Sequence, residues 1–357
     1  MLVPESIEQL QDAVRSTEHV LVRGAGTKTA LSRDATISTR KLSGILDYEP
    51  SEYTFTALAG TPIADIQSVL AEHGQFLIFD PPLAEAGATL GGTVSAGLSG
   101  PGRFRFGGVR DFILGVRMVT GDARVVFGGG KVVKNAAGFD IPKLVTGALG
   151  RMGVLVELTF KVFPAPETWT TIRADFTELA PTIDALHRLA VAQEDLFCLD
   201  LEPPHRLWVR LGGLADAQPA RVERVRRLIA DATVELLTGE DDARVWSDAR
   251  EFRWLPEEHS LIKMPITSGQ LPEVEAALSA FFDHLPCRYS VGGNVAWIGW
   301  PDSLESTELN RLCQRLNRAI MILTGKQSDV LRGPRGGLPF TQRLLNVFDP
   351  QSKFIRA

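Results

Sequence analysis

The stretch from Thr89 to Phe163 constrains the fold of this chain more than any other. It holds TLGGTVSAGLSGPGRFRFGGVRD and FGGGKVVKNAAGFD, then GALGRMGV, and counted with Gly87 it carries about half of the 33 glycines. Glycine at this density marks loops, yet apolar runs (FILGVRMV, RVVF, VLVELTFKVF) flank the glycines. The loops are therefore carried between strands and helices of a folded scaffold, not in a linker. Backbone without Cβ atoms, held rigidly, allows close approach by a phosphate or a flat ring. A nucleotide-type cofactor is the first expectation.

The totals narrow the class. A chain of 357 residues is long for one core, so two domains are expected. A net charge of -5 argues against a nucleic-acid binder, which shows a basic excess. No apolar run approaches the roughly 20 residues that cross a bilayer. The opening MLVPESIEQLQDAV lacks the basic and apolar regions of a secretory signal. Cys198, Cys287 and Cys313 are far apart, form no CxxC, and suit a reducing cytoplasm. Three cysteines cannot hold a four-cysteine iron–sulfur cluster, so electrons leaving in single steps need a partner.

Read in order, Ser6–Ser16 is an expected amphipathic helix capped by Ser6. His19–Val22 is a β-rich run that feeds Arg23-Gly24-Ala25-Gly26-Thr27-Lys28. Successive N–H groups in such a turn can converge on one anion, and Thr27 and Lys28 add a hydroxyl and a charge. The alternative is a plain tight turn. Thr29 stands where a dinucleotide fingerprint needs its third glycine, and the chain has no Walker loop. Tyr53–Ala59 alternates as a strand, Thr61 is an expected cap with Pro62 at the first helical position, and Ile63–His73 reads as a helix. Asp80-Pro81-Pro82 is rigid and poor in donors. In Gly91–Leu98 small side chains either let backbone lie along a ligand or pack a helix start on a sheet. Phe112–Thr120 and Arg124–Phe127 form an expected hairpin through Gly121-Asp122, and Val154–Val162 is a strand.

Pro164 and Pro166 mark a boundary. Beyond it glycine thins and arginine and glutamate rise. Expected helices are Leu179–Gln193, Ala217–Ala230, Pro272–Leu285 and Glu305–Ile322. Expected strands are Leu207–Leu211, Leu261–Pro265 and a broken pair over Arg288–Trp300.

Together these residues resemble a known family. Thr89–Thr93 with Ser95-Ala96-Gly97, Arg105-Phe106-Gly107-Gly108-Val109-Arg110-Asp111, and Leu114-Gly115-Val116 resemble the second FAD motif of the vanillyl-alcohol-oxidase, or PCMH-type, flavoproteins. Lys134-Asn135-x-x-Gly138-Phe139-Asp140 and Gly150-x-x-Gly153-Val154-Leu155 continue the pattern in order, and Arg23–Lys28 looks like its upstream pyrophosphate loop. The resemblance covers residues 1–165, and the segment Phe348–Phe354 is similar as well. It is strongest to the FAD-binding subunits of bacterial glycolate oxidase.

The resemblance implies an α+β fold: a two-subdomain FAD-binding domain over residues 1–166, a smaller α+β cap over 167–345, and a tail over 346–357 that packs back on the FAD domain. It implies that Arg23, Gly24, Ala25, Gly26, Thr27 and Lys28 hold the pyrophosphate. Pro81, Leu90, Gly91, Gly92, Val94, Ser95, Ala96 and Gly97 line the flavin and ribityl chain, Gly107 and Asp111 belong to the same motif, and Gly153 and Val154 meet the adenine. Thr27 replaces a histidine that in some relatives bonds covalently to flavin, so FAD is expected to be non-covalent. The implied partners are a catalytic flavin subunit, an iron–sulfur subunit and a small 2-hydroxy acid. The implied location is the cytoplasm, with partners able to bring the chain to the inner face of the membrane.

The second half departs from the pattern. The six histidines form no H-x-H or H-x-x-x-H pair, Val291-Gly292-Gly293-Asn294 stands where catalytic relatives carry a His-rich motif, and Ile355-Arg356-Ala357 replaces the usual ending. No metal site and no catalytic base are assigned. Arg103, Arg105, Arg332 and Arg335 are candidate cations for a carboxylate. Trp297 and Trp300 are expected cap core. Three readings stay open: an FAD subunit of a 2-hydroxy-acid oxidoreductase complex, a self-sufficient flavin oxidase, and a non-catalytic scaffold.

Overall fold

The computed structural model describes residues 1–130, 139–281, 285–327 and 329–354, with the backbone alone for Leu338. Lys131, Lys134, Asn135 and Gly138, His284, and the ending Ile355–Ala357 lie outside the described residues. The chain divides into two compact units, one of residues 1–100, 107–165 and 336–357, the other of 101–106 and 166–335. The expected segment boundaries shift accordingly. Residues 101–106 leave the N-terminal segment, and the returning C-terminal part begins at Gly336, so that helix Leu338–Phe348 belongs entirely to unit one.

Unit one is built on an antiparallel sheet of five strands in the spatial order Ile45–Glu49, Thr54–Leu58, Val154–Lys161, Ile113–Val119, Val125–Gly129. The central strand Val154–Lys161 buries Val154, Val156, Leu158 and Phe160, and Phe160 stacks on Phe55 and lies tilted against Phe79 at centroid distances of 5.8 and 5.5 Å. Each such fully buried ring contributes about 1.5–3 kcal/mol relative to exposure. Helix Ile7–Ser16 forms where expected. Ser6 Oγ accepts from Gln9 N–H at 3.2 Å, and Leu10 and Val14 are buried against Val20, Val154 and Val156.

Thr61 does not cap the next helix. Helix Ile63–Ala71 starts after Pro62 without a side-chain cap, and Thr61 Oγ1 instead donates to Leu58 O at 2.7 Å and accepts from Gly44 N–H at 2.9 Å. The hydroxyl has nearer main-chain partners behind it than ahead.

Unit two carries a nine-stranded antiparallel sheet in the order Thr233–Thr238, Thr168–Asp175, Arg206–Gly213, Cys198–Glu202, Cys287–Ser290, Val295–Pro301, His259–Pro265, Ile320–Ile322, Leu331–Arg332. The expected helix over 305–322 is cut short. Ser306–Leu316 ends at Asn317 in the left-handed region (φ 48°), and Ile320–Ile322 leaves to join the sheet. Strands Thr168–Asp175 and Thr233–Thr238 and helix Gly239–Arg250 were not expected from the sequence.

One face of this sheet buries charge. Arg210 Nη2 donates to Asp242 Oδ2 at 2.6 Å, and Arg288 Nε donates to Asp200 Oδ2 at 2.7 Å. Both guanidinium groups lie near the ring of Trp246, 5.9 and 5.4 Å from its centroid. Burial pushes the Asp200 carboxyl up, and the Arg288 charge opposes that shift. Trp297 and Trp300 are buried.

Candidate functional site

In unit one, strand Val22–Arg23 pairs in parallel with Ile37–Ser38, and Thr39 N–H donates to Arg23 O at 2.9 Å. The chain then turns through Gly24–Lys28 into a single turn, Thr29–Ser32, where Ser32 Oγ donates to Lys28 O at 3.0 Å. Among the described residues the N–H groups of Gly24, Ala25, Gly26 and Thr27 meet no protein acceptor. Gly26 sits at φ 85°, a conformation that side chains rarely adopt. Lys28 is 7% exposed and its Nζ donates to Thr27 Oγ1 at 3.1 Å.

Facing this loop is helix Leu90–Ala96. Thr89 caps it by accepting from Gly92 N–H at 3.3 Å, and Gly97 closes it at φ 61°. Its first turn is pressed on the sheet strand: Gly91 N–H donates to Ala59 O at 2.8 Å, and a Cβ at Gly91 would lie 2.7 Å from the Ala59 methyl. A Cβ at Gly24 would collide with Thr89 Oγ1. Two glycines thus bring the loop and the helix start together. The turn after Val145 is pinned to the same helix, Gly147 N–H donating to Val94 O at 2.9 Å and Leu149 N–H to Ser95 O at 2.8 Å.

These elements line an open cleft. Of the expected site residues, Arg23 to Lys28, Gly91, Gly92, Ser95, Ala96 and Gly153 line it. Pro81, Leu90, Val94, Gly97, Gly107, Asp111 and Val154 do not. Leu90, Val94 and Val154 point their side chains into the core. Asp111 Oδ2 accepts from Gly108 N–H at 2.8 Å and so stiffens the turn after Gly107. The sequence reading missed Val22, Leu31, Ser32, Thr39 and Ala59 as lining residues. Val22 lies in a strand, Leu31 and Ser32 in the turn after the loop, and Thr39 and Ala59 just past strand ends, so only the folded backbone brings them to the cleft.

The electrostatics are one-sided. Arg23 and Lys28 line the cleft and no carboxylate does. The Arg23 Nε is buried and has no partner among the described residues. Open N–H groups, two cations and small side chains form a cradle for a diphosphate.

The other candidate cations lie in unit two. Arg105 donates to Asp195 O and lies over the Phe106 ring, and Arg332 is bonded to Ser306 O (3.0 Å) and Asn310 Oδ1 (3.2 Å), so both are structural. Arg103 is exposed. Burial, and then the charge of Arg103, push Lys263 down to about 8. Among the described residues no cluster of three or more His, Cys, Asp or Glu could hold a metal ion, and no helix is long and apolar enough to cross a membrane.

Comparison with known proteins bears directly on this cleft. The FAD-binding domain family matches residues 1–129. Glycolate oxidase subunit GlcE of Escherichia coli is 31% identical over 324 residues, 86% of this chain and 83% of that protein. The chain belongs to the family of FAD-binding glycolate oxidase subunits. Other relatives match a smaller part of the chain. Glycolate oxidase subunit GlcD of Bacillus subtilis is 28% identical over 38% of this chain and 28% of that protein, and D-2-hydroxyglutarate dehydrogenase of Xanthomonas citri pv. viticola is 29% identical over 46% and 36%. A solved structure of alkyldihydroxyacetonephosphate synthase superposes with a TM-score of 0.73 at 16% identity, over 98% of this chain and 75% of that one, and shares the fold.

FAD is therefore the cofactor, and the chain is a member of an FAD-dependent oxidoreductase family. The residues present fit FAD: the orphaned Arg23 Nε, the open N–H groups of the loop and the two cations suit a diphosphate held against backbone.

Proposed function

We propose that this chain is the FAD-binding subunit of a glycolate-type 2-hydroxy-acid oxidoreductase complex, working with a catalytic flavin subunit and an iron–sulfur subunit. The observation that carries this reading is the Gly24–Lys28 cradle, found in a chain that aligns with 83% of GlcE. When bound, FAD supplies a two-electron acceptor that can pass electrons onward singly.

The chain's own residues bind and orient. Gly24 to Thr27 direct N–H groups at the pyrophosphate, and Arg23 and Lys28 add charge. Gly91, Gly92, Ser95 and Ala96, with Pro81, Leu90, Val94 and Gly97 behind them, line the flavin and ribityl chain, and Gly107 and Asp111 shape the adjoining turn. Gly153 and Val154 face the adenine. Thr27 offers no imidazole for a flavin bond, so retention is non-covalent. The chain works in the cytoplasm and meets the membrane only through partners.

The test is purification from the native host, with flavin and iron analysis of what co-purifies. The expected result is acid-releasable FAD in this chain, a flavin partner and an iron–sulfur partner, with glycolate bleaching the flavin only in the complex. Bleaching of the isolated chain by glycolate would favour a self-sufficient oxidase. A complex in which this chain carries no flavin would favour a scaffold.

A further inference from the structure

The segment 349–354 reaches the cofactor cradle from behind. Asp349 is 1% exposed, and its carboxylate accepts the N–H groups of Lys353 at 2.8 Å and Phe354 at 2.9 Å. The hairpin turn at Gly121 is shaped to it. Gly121 N–H donates to Phe348 O at 2.9 Å, and a Cβ at Gly121 would collide with Asp349 Oδ1. Lys353 Nζ donates to the carbonyls of Val14 and Arg15, both at 2.8 Å, at the C-terminal end of helix Ile7–Ser16. That is where unpaired carbonyls and the helix dipole favour a cation.

The same segment then runs alongside Val20. Val20 N–H donates to Lys353 O at 2.8 Å, and Val20 and Phe354 form a parallel bridge. Phe354 is 2% exposed and packs with Leu10, Val14, Val20 and Ile37. Val20 stands two residues before strand Val22–Arg23, which enters the cradle and is paired with Ile37–Ser38. The entry to Gly24–Lys28 is thus fixed by two backbones, and one of them comes from residues 353–354. A loop whose N–H groups must converge on one anion loses affinity when its entry is free to move, because ordering then has to accompany binding.

We propose that Asp349, Lys353 and Phe354 are positioning residues for FAD. They touch no part of the cleft and act through Val20, holding the cradle's N–H groups in place for the pyrophosphate. The proposal rests on the FAD reading of the cleft.

The experiment titrates FAD onto apoprotein by flavin fluorescence. It compares wild type, Lys353→Met, Phe354→Ala and the control Leu70→Ala, whose side chain is 1% exposed on the remote helix Ile63–Ala71. Amide hydrogen exchange is followed over residues 20–28. Lys353→Met and Phe354→Ala should each raise the FAD Kd about tenfold, within the usual range of coupling between separate sites, and speed exchange over 20–28. Leu70→Ala should lose thermal stability with Kd and exchange there unchanged. An unchanged Kd and unchanged exchange in Lys353→Met, which removes only hydrogen bonds to two carbonyls, overturns the proposal even if Phe354→Ala fails to fold. Failure of wild type to bind FAD overturns the cofactor reading instead, and is seen in the same titration.

Discussion

The cleft of unit one and the sheet of unit two treat polar groups in opposite ways. In the cleft, backbone N–H groups and the Arg23 Nε point at no protein acceptor, and no carboxylate lines the wall that Lys28 shares. On the sheet, buried cations meet buried anions: Arg210 with Asp242, and Arg288 with Asp200. The contrast is one of charge: the sheet's buried guanidinium groups each meet a carboxylate, although Arg288 Nη2 has no partner among the described residues, whereas no carboxylate lines the cleft. We read the buried ion pairs of unit two as scaffold, and the one-sided polarity of the unit-one cleft as the proposed FAD site.

The sharpest way to break this contrast is to open a closed pair. Asp242→Ala leaves the Arg210 guanidinium buried without its carboxylate, a change that typically costs about 3–5 kcal/mol. Urea denaturation should show a loss of that size, and a loss well below it would mean that the pair is not structural. In the cleft, Lys28→Met removes a cation from the cradle. It should weaken FAD binding by about 1.5–3 kcal/mol, the value of a charged hydrogen bond, and flatten the salt dependence of Kd.

Gly24→Ala tests the backbone side of the same site. The new methyl meets Thr89, and overpacking of about 1–3 kcal/mol falls on the loop that must hold the anion. The FAD titration should show a weaker Kd with the off-rate raised. Binding equal to wild type would show that loop and helix start are not packed as described.

The smallest effect is a pH profile. Lys263 is pushed down to about 8, against about 10.4 in the unfolded chain. Between those values the unfolded chain holds a proton that the folded chain has released, so stability should rise with pH across that window. Lys263→Met should remove the rise in thermal melts, and an identical slope in the variant would contradict the assignment.

The two regions also differ in how legible they were. The cradle could be read from sequence because its requirement is local. A glycine is needed where a neighbour presses close on the chain, as Thr89 does at Gly24 and Ala59 at Gly91, and a strand-turn pattern places Lys28 beside it. The residues behind the cleft, such as Thr39 and Ala59, carry no such mark. In unit two, Thr171, Arg210, Asp200 and Arg288 sit on separate strands and meet only through the register of the sheet. Nothing in their spacing announces it. The helix expected over 305–322 failed for a similar reason: apolar periodicity continues to Ile322, but Asn317 turns the chain and a sheet edge takes the last residues. Helix Leu338–Phe348, which packs Leu345 against Ala148 and Met152 and leaves Phe340 and Val347 exposed, was not expected from the sequence.

The central claim is that the Gly24–Lys28 cradle and the start of helix Leu90–Ala96 hold FAD non-covalently. Its most direct test is titration of the purified apoprotein with FAD, followed by acid precipitation of the complex. The account predicts saturable binding of one FAD per chain, weakened in Lys28→Met, with all flavin released into the acid supernatant. No uptake, uptake indifferent to Lys28→Met, or flavin that stays with the precipitated protein would contradict it.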